Sequence, residues 1–353
     1  MKKMYIVLED GHIFEGKGYG AEGNVTGELV FTTGVVGYIE TLTDAAYYGQ
    51  IVLQTFPLIG NYGIINEDTK ETKPVIKGYI AREICDMPSN FRCDGEINDY
   101  LKENGIVTVC DVDTRELTKL VRENGAMNAC ITEDPASVDL DALKAYEIKD
   151  ALAAVASGKK GYFEAEENKY SVAMLDCGAT ANAIEKLTEK GCNVTVFPYN
   201  TKAADILDGT FDGVVVSNGP GNPAENAELI AEVKELMNSK PVFGFGLGHQ
   251  IMALANGGQT QKMKFGHRGG SVPVRNAEDG KVFATHQNHG YVVSEIPADA
   301  KVAFENVSDK TCEGLEYEKL NAFSIQFTPD CFSASVDTDK IYDKFISLIG
   351  GDK

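Results

Sequence analysis

Two α/β domains are predicted by this sequence, on three observations. Its 353 residues exceed one ordinary domain. Its 43% hydrophobic content is enough to build real cores rather than a disordered chain. The rhythm of the chain also changes near residue 150. Short β-branched runs and Gly-rich turns give way to strands alternating with helices, the pattern of a mostly parallel sheet covered by helices. The expected division is an N-terminal mixed α/β domain over 1–149, a connection over 150–169, and a second α/β domain over 170–353.

In the first domain the runs Met4–Leu8, Glu28–Thr33, Gln50–Thr55 and Ile106–Val112 read as strands. Asp113 is a good cap for a helix over Asp113–Glu123 that ends near Gly125. The connection carries a small Ala-rich piece, then Gly-Lys-Lys-Gly and the acidic Glu164–Glu167. From Tyr170 the order is regular. SVAMLDCG is a strand, ATANAIEKLTEKG a helix closed by Gly191, and NVTVFPYN and FDGVVVSNGPG are strands. The segment NPAENAELIAEVKELMNSK is a helix with Ile230, Val233 and Met237 on one face. PVFGFG is a strand that runs directly into GHQIMALANGG. Sites in such sheets lie beyond the carboxyl ends of strands. Two of those ends are rich in glycine, Ser217–Gly221 and Gly244–Gly248.

Composition excludes several function classes. A net charge of −20 repels phosphate backbones and anionic lipid. The start, MKKMYIVLEDG, has too short an apolar run for a signal-peptide core, and Glu9-Asp10-Gly11 ends it like a turn. No stretch approaches the ~18 apolar residues of a membrane span. Eight cysteines without a C-x-x-C pair suit reduced thiols. The expectation is a cytoplasmic protein, with neither nucleic acid nor membrane as partner.

Gly244-Phe245-Gly246-Leu247-Gly248-His249-Gln250 has the layout of a nucleophile elbow, in which a strand turns sharply into a helix with small residues on either side of the centre. Amides just past the turn, aided by the helix N-terminus, form an oxyanion hole. The centre normally presents Ser or Cys. Here it is Gly246, which has no side chain.

The chain resembles the small, glutamine-amidotransferase subunit of carbamoyl-phosphate synthetase over essentially its whole length. The matching stretches are GYIETLTD, GQIVLQTFPLIGNYG, SNFR and DTRELTKLVRENGAMN in the first domain. In the second they are SNGPGNP, PVFGFGLGHQIMALANGG, KMKFGHRGG and HQNHGY. The resemblance implies a class I glutamine amidotransferase-like second domain with a Cys–His–Glu triad, in which a thiolate attacks the glutamine amide and an imidazole moves protons. The Cys belongs at Gly246, and the His and Glu belong at Thr328 and Asp330 of Thr328-Pro329-Asp330. All three positions of the triad are therefore altered. A family Ser that contacts glutamine falls on Ala46, the usual Asn-His on Ser271-Val272, and the usual Lys on Thr180. Glutamine-binding positions that survive are Gly219 and Gly221 at the border of the substrate, Leu247 with its oxyanion amide, and Gln250, Asn288, Gly290 and Tyr291 in the wall.

Simpler roles stand beside these. Gly219-Pro220-Gly221 also reads as a tight turn. His249 reads as a structural, hydrogen-bonded residue. His286 and His289 lack a neighbouring third ligand and make weak evidence for zinc, so no metal is assigned. Cys331 reads as an ordinary thiol rather than a displaced nucleophile.

The leading expectation is a small-subunit homologue unable to hydrolyse glutamine, paired with a large subunit that uses free ammonia. ATP and magnesium are then expected on that large subunit only, with no cofactor in this chain and with glutamine bound weakly. The alternatives are a non-catalytic glutamine or metabolite sensor, and a glutaminase with rearranged residues.

Overall fold

The computed structural model describes residues 2–69, 72–329, 338 and 340–351. The chain divides into two compact units, Met1–Ala151 and Leu152–Lys353.

The first unit is built on a closed barrel. Its strands are β1 (Lys3–Leu8), β2 (Ile13–Gly20), β3 (Val25–Thr32), β4 (Gln50–Gln54), β5 (Gly78–Ile80), β6 (Val107–Cys110) and β7 (Met127–Thr132). They run in the order β1-β2-β6-β5-β4-β3-β7, and β7 pairs back onto β1. Closure leaves no unpaired edge within the barrel. Each strand inferred from a β-branched run is present. The barrel itself was not foreseen, because closure depends on pairings between segments distant in sequence. Helix α1 (Thr114–Asn124) is capped as expected, with the Glu116 amide donating to Asp113 Oδ1 at 2.9 Å, and it ends at Gly125.

Residues 150–169, expected as a connection, carry structure of their own. Helix α2 (Ala151–Val155) is followed by strand β8 (Gly161–Phe163). β8 pairs antiparallel with β10 (Cys192–Pro198) and so forms one edge of the second unit's sheet. Leu152 and Ala165 are buried.

The remaining strands are β9 (Tyr170–Asp176), β11 (Gly213–Val216), β12 (Val242–Phe245), β13 (Gln259–Asn276), β14 (Val282–Glu295), β15 (Ala300–Asn306), β16 (Cys312–Tyr317) and β17 (Ala322–Ile325). They form one 10-stranded sheet in the order β8-β10-β9-β11-β12-β17-β16-β15-β13-β14. The middle strands β10, β9, β11, β12 and β17 are parallel. From β17 onward the pairing is antiparallel, ending in the long hairpin β13–β14.

Alternate residues of the parallel strands feed two separate cores. Ala173, Leu175, Val214 and Val216 pack on the face covered by α4 (Ala227–Ser239) and α5 (Leu247–Ala255). Val172, Met174, Val215, Phe243 and Phe245 pack on the face covered by α3 (Ala181–Glu189) and α6 (Lys340–Gly350). A sheet buried on both faces needs such continuous apolar strands. In α4 the buried stripe is Leu229, Val233, Leu236 and Met237, while Ile230 is only partly buried at its margin. Thr180, where the resemblance implies a Lys, caps α3 by accepting from the Ala183 amide at 3.3 Å.

Candidate functional site

The turn from β12 to α5 is made by a single residue, Gly246, at φ 57° and ψ −117°. This is the strained backbone of an elbow, costing on the order of 1–3 kcal/mol for a residue with a Cβ. Crowding dictates the glycines on either side. A Cβ on Gly244 would lie 2.4 Å from Met252 Sδ, and one on Gly248 would lie 2.1 Å from the Val216 carbonyl oxygen. The sequence builds the elbow and leaves its centre without a side chain.

The place of that side chain is filled from the neighbouring loop. A Cβ on Gly246 would lie 2.0 Å from Asn218 Oδ1, 2.4 Å from its Cγ and 2.9 Å from its Cβ. The Leu247 amide, first in α5, donates to Asn218 Oδ1 at 3.1 Å. Asn218 is only 6% exposed. Its loop is held close: a Cβ on Gly219 would lie 2.2 Å from the Cys177 carbonyl oxygen, and Gly221 has φ +90°. The Cys177 amide donates to Ser217 Oγ at 2.9 Å, and that hydroxyl donates to the Asn218 carbonyl at 3.0 Å.

On the other side of the elbow, Gln250 is already engaged. Its Nε2 donates to the Tyr291 carbonyl at 2.8 Å and to Gln326 Oε1 at 2.9 Å. Gln326 Nε2 in turn donates to the Gly246 carbonyl at 3.3 Å. Gln250 and Tyr291 are therefore tied to the elbow. Asn288 and Gly290 lie with Tyr291 on β14, and Asn288 faces Arg268 across the hairpin. Thr328 is buried, and its amide donates to the His286 carbonyl at 3.0 Å. It follows β17, whose Ile325 is in register with Phe245, so both chain segments leave the sheet at the carboxyl ends of neighbouring parallel strands. Asp330 and Cys331 lie outside the described residues. Ala46 belongs to the first unit, where its amide donates to Asp44 Oδ1 at 2.9 Å.

The histidines sort by their surroundings. His249 is fully buried on α5 with Nδ1 2.8 Å from Ser324 Oγ, and burial pulls its pKa down to about 3. It is a neutral structural residue. His286 contributes a backbone bridge to Thr328. His289 belongs instead to a cluster of candidate ligands, without His286, that chain spacing did not reveal. Ligand atoms of His267, His289 and Glu313 lie within 4.8 Å of one another. Gln287 Oε1 sits 3.1 Å from His267 Nδ1 and 2.9 Å from His289 Nε2. Glu313 accepts from Gln287 Nε2 and from Asn306 Nδ2, both at 2.9 Å. His267 Nε2 lies 2.8 Å from Asp309 Oδ2. Burial pulls His267 down, but Glu313 and Asp309 together outweigh it and hold its pKa above the ordinary value. Burial, followed by the His267 charge, holds His289 well below its own. Every ligand atom of this polar knot already has a partner within the protein.

Two family models match the chain. One is the carbamoyl-phosphate synthase small chain, CPSase domain, over residues 6–131, and the other is glutamine amidotransferase class-I over residues 173–348. The chain is 42% identical over 346 residues to the carbamoyl phosphate synthase small chain of Clostridium perfringens, covering 98% of this chain and 99% of that one. It is also 42% identical over 354 residues to the carbamoyl phosphate synthase pyrimidine-specific small chain of Lactiplantibacillus plantarum, covering 99% and 97%. The chain belongs to the carbamoyl-phosphate synthase small-chain family. Among solved structures, a putative GMP synthase chain from Thermoplasma acidophilum matches at TM-score 0.47 and 19% identity, over 52% of this chain and 96% of that one.

For a small-chain homologue, the residue that sequence reading missed is Asn218. It lies inside SNGPGNP, one of the stretches that match the family, so its letter gave no signal. Its side chain takes the space that Gly246 leaves.

Proposed function

We propose that this chain is a carbamoyl-phosphate synthase small chain that has lost glutamine hydrolysis. It serves as the scaffold or regulatory subunit of a large chain that makes carbamoyl phosphate from free ammonia, bicarbonate and ATP. In this proposal ATP and magnesium are held by the large chain. The observation that carries the reading is Gly246 at the centre of an intact elbow: the backbone for nucleophilic catalysis is present and the nucleophile is not. Loss of a whole triad costs on the order of a millionfold in kcat.

A rearranged glutaminase would need a new nucleophile and a new base. Cys177 adjoins the Gly219 loop but is buried, and burial pushes its thiol far above the range in which a thiolate forms. His249 and His289 are buried with depressed pKa values and have no open approach to a substrate. The sensor reading needs an open seat, and Asn218 stands in it.

The test is size-exclusion chromatography of this chain with its cognate large chain at micromolar concentration, followed by synthesis assays on the complex. Co-elution is expected, with carbamoyl phosphate formed from ammonium and not from glutamine. Two independent peaks would sink the scaffold reading.

A further inference from the structure

Resting on the reading that this pocket descends from a glutamine site, we propose that Asn218 is a built-in ligand, its side-chain carboxamide seated where the carboxamide of glutamine would bind. The functional group is the same, an amide oxygen beside an amide nitrogen. Its oxygen takes the Leu247 N–H, the donor that faces a substrate carbonyl at an elbow. The seat and a side chain at residue 246 are mutually exclusive, since a Cβ there would lie 2.0 Å from Oδ1 and 2.4 Å from Cγ of Asn218. The loss of the nucleophile is therefore what lets the internal ligand in.

Backbone movement does not readily release Asn218. Gly219 is packed against the Cys177 carbonyl, Ser217 Oγ bridges the Cys177 amide to the Asn218 carbonyl, and the Gly248 amide donates to the Ser217 carbonyl at 3.2 Å. What remains free is rotation of the Asn218 side chain. An intramolecular carboxamide loses no translational freedom on binding, so it outcompetes a free one of equal contact quality. A glutamine molecule would have to expel it and then supply the Leu247 amide with an acceptor itself.

Thermal melts of the full chain test the seat without reference to activity. Gly246→Ala places a Cβ against Asn218 and is expected to lower Tm. In the Asn218→Ala background the same change is expected to lower Tm by less than half as much. Additive losses would overturn the proposal. Where Gly246→Ala does not fold, hydrogen exchange of the Leu247 amide replaces the cycle. Exchange is expected to be at least tenfold faster in Asn218→Ala than in the wild type, and unchanged exchange would overturn the proposal.

Calorimetry with L-glutamine tests the ligand class. Asn218→Ala is expected to bind at least tenfold tighter than the wild type, and Asn218→Asp, which keeps the acceptor, to bind no tighter. Equal affinity in the wild type and Asn218→Ala would overturn the proposal, whatever the melts give. Ammonia release by the wild-type chain would overturn the lost-hydrolysis reading alone, because the melts and the exchange do not depend on it.

Discussion

At residue 246, strain and occupancy act in the same direction. Glycine relieves the cost of the elbow backbone and also admits Asn218. Gly246→Cys therefore has to bear the strain, on the order of 1–3 kcal/mol, and to expel a buried acceptor from the Leu247 amide, about 1–3 kcal/mol more. A clear drop in melting temperature is expected, with little turnover, because Thr328 is no base and leaves the new thiol without an imidazole partner. The triple change Gly246→Cys, Thr328→His, Asp330→Glu is expected to release measurably more ammonia than the single change, since triad members act as a unit. Equal turnover by the two would show that the missing base is not the block. At this scale the sequence was legible at Gly246, which the motif places at the centre of a strand-to-helix turn and which makes that turn in the structure. It was silent at Asn218, whose approach to the elbow depends on two loops distant in sequence.

At the scale of elements, local signals predicted what local forces build. Asp113 caps α1 through the Glu116 amide, so Asp113→Ala is expected to cost about 1 kcal/mol, read as a lower urea midpoint at unchanged slope. Gly248 is a stronger case, because its missing Cβ lies 2.1 Å from the Val216 carbonyl. Gly248→Ala is expected to separate α5 from β11 and cost several kcal/mol, in the range of severe core lesions. A melting temperature within a degree of the wild type would contradict the close approach. The hairpin β13–β14 was not legible, because its register shifts between Lys262 and His267 and again between Gly269 and Val272, which break the alternation that marks a strand. The same shifts help to conceal the polar knot, since His267, His289 and Glu313 come from three different strands. Strand β8 was missed because a three-residue edge strand with Tyr162 and Phe163 exposed has no apolar pattern to read.

For the whole molecule, the buried imidazoles contribute to the loss of stability in acid. His249 and His289 have folded pKa values below that of an unfolded histidine, near 6.5. Below pH ~6.5 the unfolded chain binds protons that the folded chain does not. Stability is therefore lost as pH falls from there toward the folded values. His267 has the opposite sign: its contribution is complete below pH ~6.5 and is lost as pH rises through its raised folded value. Replacing His249 with Leu removes one of the acid-sensitive sites. The stability difference between the wild type and His249→Leu is expected to move in favour of the variant by about 1.4 kcal/mol per pH unit below 6.5, read by urea denaturation at pH 7 and pH 5.5. A pH-independent difference would mean that His249 titrates in the fold as it does in the unfolded chain, and a difference that moves against the variant would mean that it is held charged there. The first unit has a capped helix and a closed barrel, and the second an elbow whose central residue has no side chain. The most direct measurement is glutamine-dependent ammonia release by the purified complex of this chain with its large chain. The expected result is no release above the buffer background, alongside carbamoyl phosphate formed from added ammonium; release that saturates with glutamine and survives purification to homogeneity would contradict the account.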